Sequence, residues 1–147
     1  MSADELDEMG PVDYIVVEWA GKQPTGEAAP LLLDLVDRGL IRILDLTFIR
    51  KDEDGTVAGL EIAELGKEIE ELKVFEGASS GLLSDDDTAA AAEAIEPGTS
   101  AALLVYENTW AAPFASAVRR SGGQLVASGR IPADDFLTAL DAAEATA

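Results

Sequence analysis

Residues 40–65 read LIRILDLTFIRKDEDGTVAGLEIAEL. Over 40–50 the side chains alternate with period two. Arg42, Leu44, Leu46 and Phe48 point one way, and Ile41, Ile43, Asp45, Thr47 and Ile49 point the other. The polar run Lys51-Asp52-Glu53-Asp54-Gly55 supplies turn chemistry, and residues 56–65 offer a returning strand through Val57, Leu60 and Ile62. A hairpin imposes antiparallel pairing, which argues against a doubly wound parallel sheet and against two separate domains.

Toward the N-terminus, residues 1–10 read as an acidic, disordered arm, and Gly10-Pro11 punctuates the start of a strand over 12–19. That strand holds Tyr14, Ile15, Val16, Val17 and Trp19; apolar side chains on both faces predict a central position. Residues 21–26 form a loop. Residues 27–38 form a helix with Leu31, Leu32, Leu35 and Val36 on one stripe, Pro30 in its first turn and Gly39 ending it.

Toward the C-terminus, Ile69, Leu72 and Phe75 have helical spacing within an ambiguous stretch, 66–75. Residues 77–83 are small and apolar, a mobile loop or a contact segment. Ser84 and Asp87 make a variant capping box for an alanine-rich helix over 85–95, whose early aspartates complement the helix dipole. After Pro97-Gly98, residues 99–107 read as a strand. Asn108 or Thr109 caps a helix over 110–121 that ends at Gly122-Gly123, and a short strand at 124–129 precedes a final helix over 132–144. The order β-α-β-β-α-β followed by α-β-α predicts an α+β fold. It is a ferredoxin-like βαββαβ sandwich with an added C-terminal α-β-α extension, one domain spanning 11–147.

Composition narrows the chemistry. The 147 residues include no histidine and no cysteine, 29 acidic groups and 10 basic ones, for a net charge of −19. Imidazole is the side chain that titrates near neutrality, and thiolate is the strongest common nucleophile. Their absence argues against most enzyme classes, and no cofactor is expected. The charge repels nucleic acid and anionic lipid. The N-terminus lacks the basic start and apolar stretch of a signal peptide, and no run approaches a membrane span. A cytoplasmic location without disulfides is the expectation.

Three constellations invite a chemical reading. Gly77-Ala78-Ser79-Ser80-Gly81 fits the G-x-S-x-G pattern of serine hydrolases, but no histidine base exists to activate the serine. Asp85-Asp86-Asp87 and Asp52-Glu53-Asp54-Gly55 lack the ligand spacing of a calcium loop and fit helix-start and turn roles, so no metal site is assigned. Glu107-Asn108-Thr109-Trp110 lies where a strand gives way to a helix. Glu107 and Asn108 suit capping or register, and Trp110 either closes the core or fills a pocket on a partner. Trp19 carries the same pair of readings. The candidate ligand or partner residues are Trp19, Phe48, Phe75, Glu107, Asn108 and Trp110.

Gly10-Pro11-Val12-Asp13-Tyr14, the stretch RILDLTFIRKDED from Arg42 to Asp54, and Glu107-Asn108-Thr109-Trp110-Ala111 followed by Gly122-Gly123 resemble an uncharacterised actinobacterial family, a domain of unknown function. The likeness runs from Gly10 to near the C-terminus. That family is in turn distantly similar to small proteins, some labelled as membrane or stress-associated, with a glycine-rich apolar insert; the corresponding region here, 74–83, is short. The resemblance implies a stress-related role and brings no catalytic residues. The expectation is a non-enzymatic protein that forms a homodimer or larger assembly or binds another protein. A small-molecule module built on the open sheet and the Glu107–Trp110 corner is the alternative.

Overall fold

The structure, a computed structural model, describes residues 8–20 and 26–146. Most of the acidic arm and of the 21–26 loop therefore lies outside the described residues. Contacts divide the chain into two compact units, Met1–Ala117 and Val118–Ala147.

The first unit is built on a four-stranded antiparallel sheet: β1 (Val12–Ala20), β2 (Arg42–Lys51), β3 (Val57–Leu60) and β4 (Thr99–Glu107), in the spatial order β1-β4-β2-β3. The expected hairpin is present, with Phe48 opposite Leu60 and Lys51 opposite Val57. Its turn closes through the Gly55 N–H to the Asp52 carbonyl, 2.9 Å, with Gly55 at a φ of +88° that only glycine adopts readily.

Three features of the sheet differ from the sequence reading. The central strand is β4, buried at every residue, and β1 is an edge. The apolar run of β1 misled because part of it faces outward: Tyr14 is 76% exposed, and Val12 and Val17 are exposed too. The returning strand stops at Leu60 instead of continuing to 65. From Ile62 the apolar period changes from two to three and four. Ile62, Leu65, Ile69, Leu72 and Phe75 are all buried, on α2 (Ile62–Glu68), on a 3-10 helix (Glu70–Phe75) and, for Ile69, at the junction between them. Finally, β2 is not strictly alternating. Ile43 lies opposite Tyr106 but Asp45 lies opposite Val105, so Leu44 is an extra bulged residue. The bulge moves Ile43 onto the side of Leu46 and Phe48, where it packs against their cluster.

Helices cover both faces. On the first, Leu46, Phe48, Ala102, Leu104 and Tyr106 pack with Ala29, on α1 (Ala29–Asp37), and with the buried residues of α2 and the 3-10 helix. On the second, Ile49, Ala101 and Leu103 pack with Ala91 and Ala92, on α3 (Asp85–Ala94), and with Ile95 beyond its end. The capping box of α3 forms as read: Asp87 N–H donates to Ser84 Oγ at 3.2 Å and Ser84 N–H to Asp87 Oδ2 at 2.9 Å. At the other end of α3, Lys51 Nζ donates to the carbonyls of Ala92 and Ile95 at 2.9 and 3.2 Å, placing a cation where the helix dipole favours one. Up to Glu107 the expected elements occur in the expected order, with α2 and the 3-10 helix added between β3 and α3, helices on both faces and β4 and β2 at the centre.

In the second unit, residues 124–129 form no strand. They are exposed throughout and pair with no described strand, and an unpaired strand has no neighbour to take its ladder hydrogen bonds. The last helix, α5 (Ala133–Thr146), follows α4 (Ala112–Arg120) and begins after Pro132 as expected; none of its described residues is buried.

Candidate functional site

The predicted site residues fall into two groups. The first is the corner after β4. Glu107 is buried and points to the second face of the sheet, across from Arg42. Its Oε1 meets Arg42 Nε at 2.9 Å, and its Oε2 accepts the Gly10 N–H at 2.8 Å. Asn108 does not cap the following helix. It reaches back, donating from Nδ2 to the Pro11 carbonyl at 3.1 Å and to Asp13 Oδ2 at 2.9 Å. The Trp110 backbone N–H donates to the Leu40 carbonyl at 3.1 Å, while its indole is 66% exposed, with Nε1 at 3.4 Å from Asn108 Oδ1. The corner is a clasp that ties the chain before β1 and the start of β2 to the end of β4. It consumes Glu107 and Asn108 in holding register. Trp110 does not close the core.

Gly10 is part of this clasp, so the expected arm is anchored at its last residue. A Cβ added there would collide with the Asn108 carbonyl oxygen, which explains why glycine stands at this point.

The second group is Trp19, Phe48 and Phe75. The structure brings the three together around an apolar cavity of about 200 Å³ on the first face, with Leu46, Leu72 and Ala102 among its other walls. Phe48 and Phe75 are 4% and 5% exposed and are core residues; Trp19 is half-buried at the rim.

A third place was not singled out by the sequence. On the second face, between α3 and β1, runs a cleft of about 480 Å³. Val12, Tyr14 and Val16 from β1, Leu83, and Ala90 and Ala94 from α3 line it, so it is mostly apolar. It lies beside the outer edge of β1, nine residues long, to which no described strand is paired. The strand contains no lysine or proline, the residues that most often blunt an edge, and its only charged residues are Asp13 and Glu18.

A buried carboxylate was also missed. Asp45 is 0% exposed at the bulge of β2. Its Oδ1 accepts the Ser80 N–H at 2.9 Å and its Oδ2 the Leu83 N–H at 2.8 Å. Ser80 Oγ donates to the Leu44 carbonyl at 2.6 Å, and the Leu46 N–H donates to the Ala78 carbonyl at 3.2 Å. Residues 77–83 thus cover the part of β2 that β3, paired only from Phe48 on, leaves bare. In the sequence Asp45 is one of two polar residues, with Thr47, on its side of β2, and nothing marks it as buried.

These observations describe a four-stranded scaffold whose longer edge strand, β1, has no described strand on its outer side. The sequence pattern of a family of unknown function (DUF6325) matches residues 8–146, nearly the whole chain. The chain belongs to this family. No curated protein and no solved structure matches it. Family membership brings no activity to this fold. Among the described residues no three His, Cys, Asp or Glu side chains come together so as to hold a metal ion, and no helix is long and apolar enough to cross a membrane.

Proposed function

We propose that this protein acts without catalysis, by presenting surface to another polypeptide, either a second copy of itself or another protein. The observation that carries the reading is the unpaired nine-residue edge of β1 beside an apolar cleft. Backbone N–H and C=O groups on an open edge are a template for a further strand, and an adjoining pocket for alternate side chains is how such additions gain specificity. The absence of imidazole and thiol from the whole chain supports the non-enzymatic half of the proposal.

The setting proposed with it is the cytoplasm, since the fold relies on packing without any disulfide. A stress-related role and an actinobacterial origin rest on the resemblance alone. We read the first unit as a distant variant of the ferredoxin-like plan with inner and outer strands exchanged. The support is that both crossovers, β1 to β2 and β3 to β4, step over one strand.

The test is light scattering on the full chain across protein and salt concentration. Association that strengthens with salt is expected, because two copies each of charge −19 repel and ions screen that repulsion. A monomer under all conditions that also captures no strand-forming peptide would overturn the proposal.

A second reading is favoured by the cavity under Trp19, Phe48 and Phe75. Its walls are almost wholly apolar, so the ligand would be a small apolar molecule. Thermal shifts against a panel of aliphatic and aromatic compounds test it. A shift retained in Phe75→Ala would place the ligand elsewhere.

A further inference from the structure

We infer that the partner of the β1 edge is the β1 edge of a second copy, paired antiparallel about a two-fold axis at Val16. This deepens the self-association reading and rests on it.

The pairing follows from three constraints. Along a strand, backbone groups point alternately toward and away from the existing neighbour, so only outward-facing residues of two copies can exchange hydrogen bonds. In a two-fold antiparallel pair this makes the two position numbers of each facing pair sum to an even value. Among such registers, the one summing to 32 aligns the whole of Val12–Ala20 with its mate, since 12 + 20 = 32. It sets Val16 on Val16, Ile15 on Val17, Tyr14 on Glu18 and Asp13 on Trp19.

The third constraint is charge. A chain of net charge −19 has to meet itself somewhere its carboxylates do not face one another. β1 carries only Asp13 and Glu18. In this register each faces an aromatic ring. The two Glu18 side chains fall four residues apart along the ladder, about 14 Å, and the two Asp13 side chains six apart, about 20 Å. Both separations exceed the screening length of roughly 8 Å at physiological salt. Asp13 is also already paired with Asn108 within its own chain. The centre of the pair is apolar, Ile15, Val16 and Val17. An isologous pair of this kind closes on itself as an eight-stranded sheet, each copy contributing four strands.

The chain has no cysteine, so a single introduced thiol reports on geometry without background. In Val16→Cys the two thiols would face each other with Cα atoms about 4.5–5.5 Å apart, inside the range a disulfide spans. In Tyr14→Cys they would be about 14 Å apart and could not bridge. Under mild oxidation more than about half of Val16→Cys and less than about a tenth of Tyr14→Cys is expected as covalent dimer. Mixing Tyr14→Cys chains with Glu18→Cys chains is expected to give a covalent heterodimer, which keeps the test valid if Val16→Cys folds poorly. A dimer by light scattering whose Val16→Cys and mixed chains do not cross-link would overturn this register and leave the self-association reading intact. A chain that stays monomeric at every concentration and salt, with no cross-linking, would overturn both.

Discussion

Replacing Asp45 with alanine should release residues 77–83 from the sheet. The carboxylate is fully buried and holds two backbone N–H groups, of Ser80 and Leu83. Alanine leaves both donors without their acceptor, and a buried donor left unsatisfied costs about 1–3 kcal/mol. The two are not equal. Ser80 is exposed and its N–H can turn to water, whereas Leu83 is half-buried against the cluster of Ile49 and Leu103. The loss expected is therefore about 2–4 kcal/mol rather than the full sum. Asparagine keeps one acceptor oxygen and turns an NH2 group toward the other donor, so Asp45→Asn should lose about half as much. Urea unfolding measures both losses, and amide hydrogen exchange locates them. Faster exchange is expected at Ser80, Leu83 and also Leu46, whose N–H is held by the Ala78 carbonyl. An unfolding midpoint within error of the parent, or unchanged exchange at these amides, would refute the assignment of Asp45 as the anchor of this segment.

Other outcomes follow from the same contacts. Gly10→Ala should destabilise by about 1–3 kcal/mol, because its methyl group has to displace the Asn108 carbonyl and with it the clasp at the end of β4; thermal unfolding checks it, and an unchanged Tm would count against the clasp. Ser100, fully buried on β4, has a hydroxyl without a hydrogen-bond partner among the described residues, so Ser100→Ala should be neutral or stabilise by up to about 1 kcal/mol in urea. The Asp87 carboxyl is held below its ordinary value near 3.8 by the backbone N–H and hydroxyl of Ser84. A depressed native value contributes stability above the unfolded value that is lost as pH falls through the native one, so the start of α3 should fray below about pH 4. Asp87→Ala should remove that acid-side loss of helicity, as followed by circular dichroism.

Much of this architecture could be read locally. The hairpin turn, the limits of β4 and the capping box of α3 are set by residues within a few positions of one another, and they appear where the sequence places them. Glu107 and Asn108 are open in the sequence to capping, to register or to a partner; in the structure both hold register, and Asn108 does not cap the helix that follows. What escaped reading is non-local. The apolar run of β1 is compatible with a centre or an edge, and only its pairing to β4 alone decides. The bulge at Leu44 flips Arg42 and Ile43 relative to the rest of β2, and no residue in 42–45 announces it. Asp45 looks like a solvated face in isolation and becomes a buried anchor only when a loop 35 residues away arrives at Ser80. The place of Trp110 was equally hidden: an aromatic after a strand fits a core as well as a surface until the chain around it is set.

The position of β4 has a consequence for biosynthesis. Val12 is paired to Glu107, 95 positions on (107 − 12), and β1 and β2 touch this late strand rather than each other. While the ribosome is still extending the nascent polypeptide, the hairpin is free to form but β1 has nothing to join. The edge that β4 will occupy stays available to neighbouring polysomes, along with the outer one, until Glu107 clears the exit tunnel. Sequence-distant pairing of this kind is slow. A holdase that shields the first twenty residues during translation should therefore raise the yield of native protein more than one acting after release.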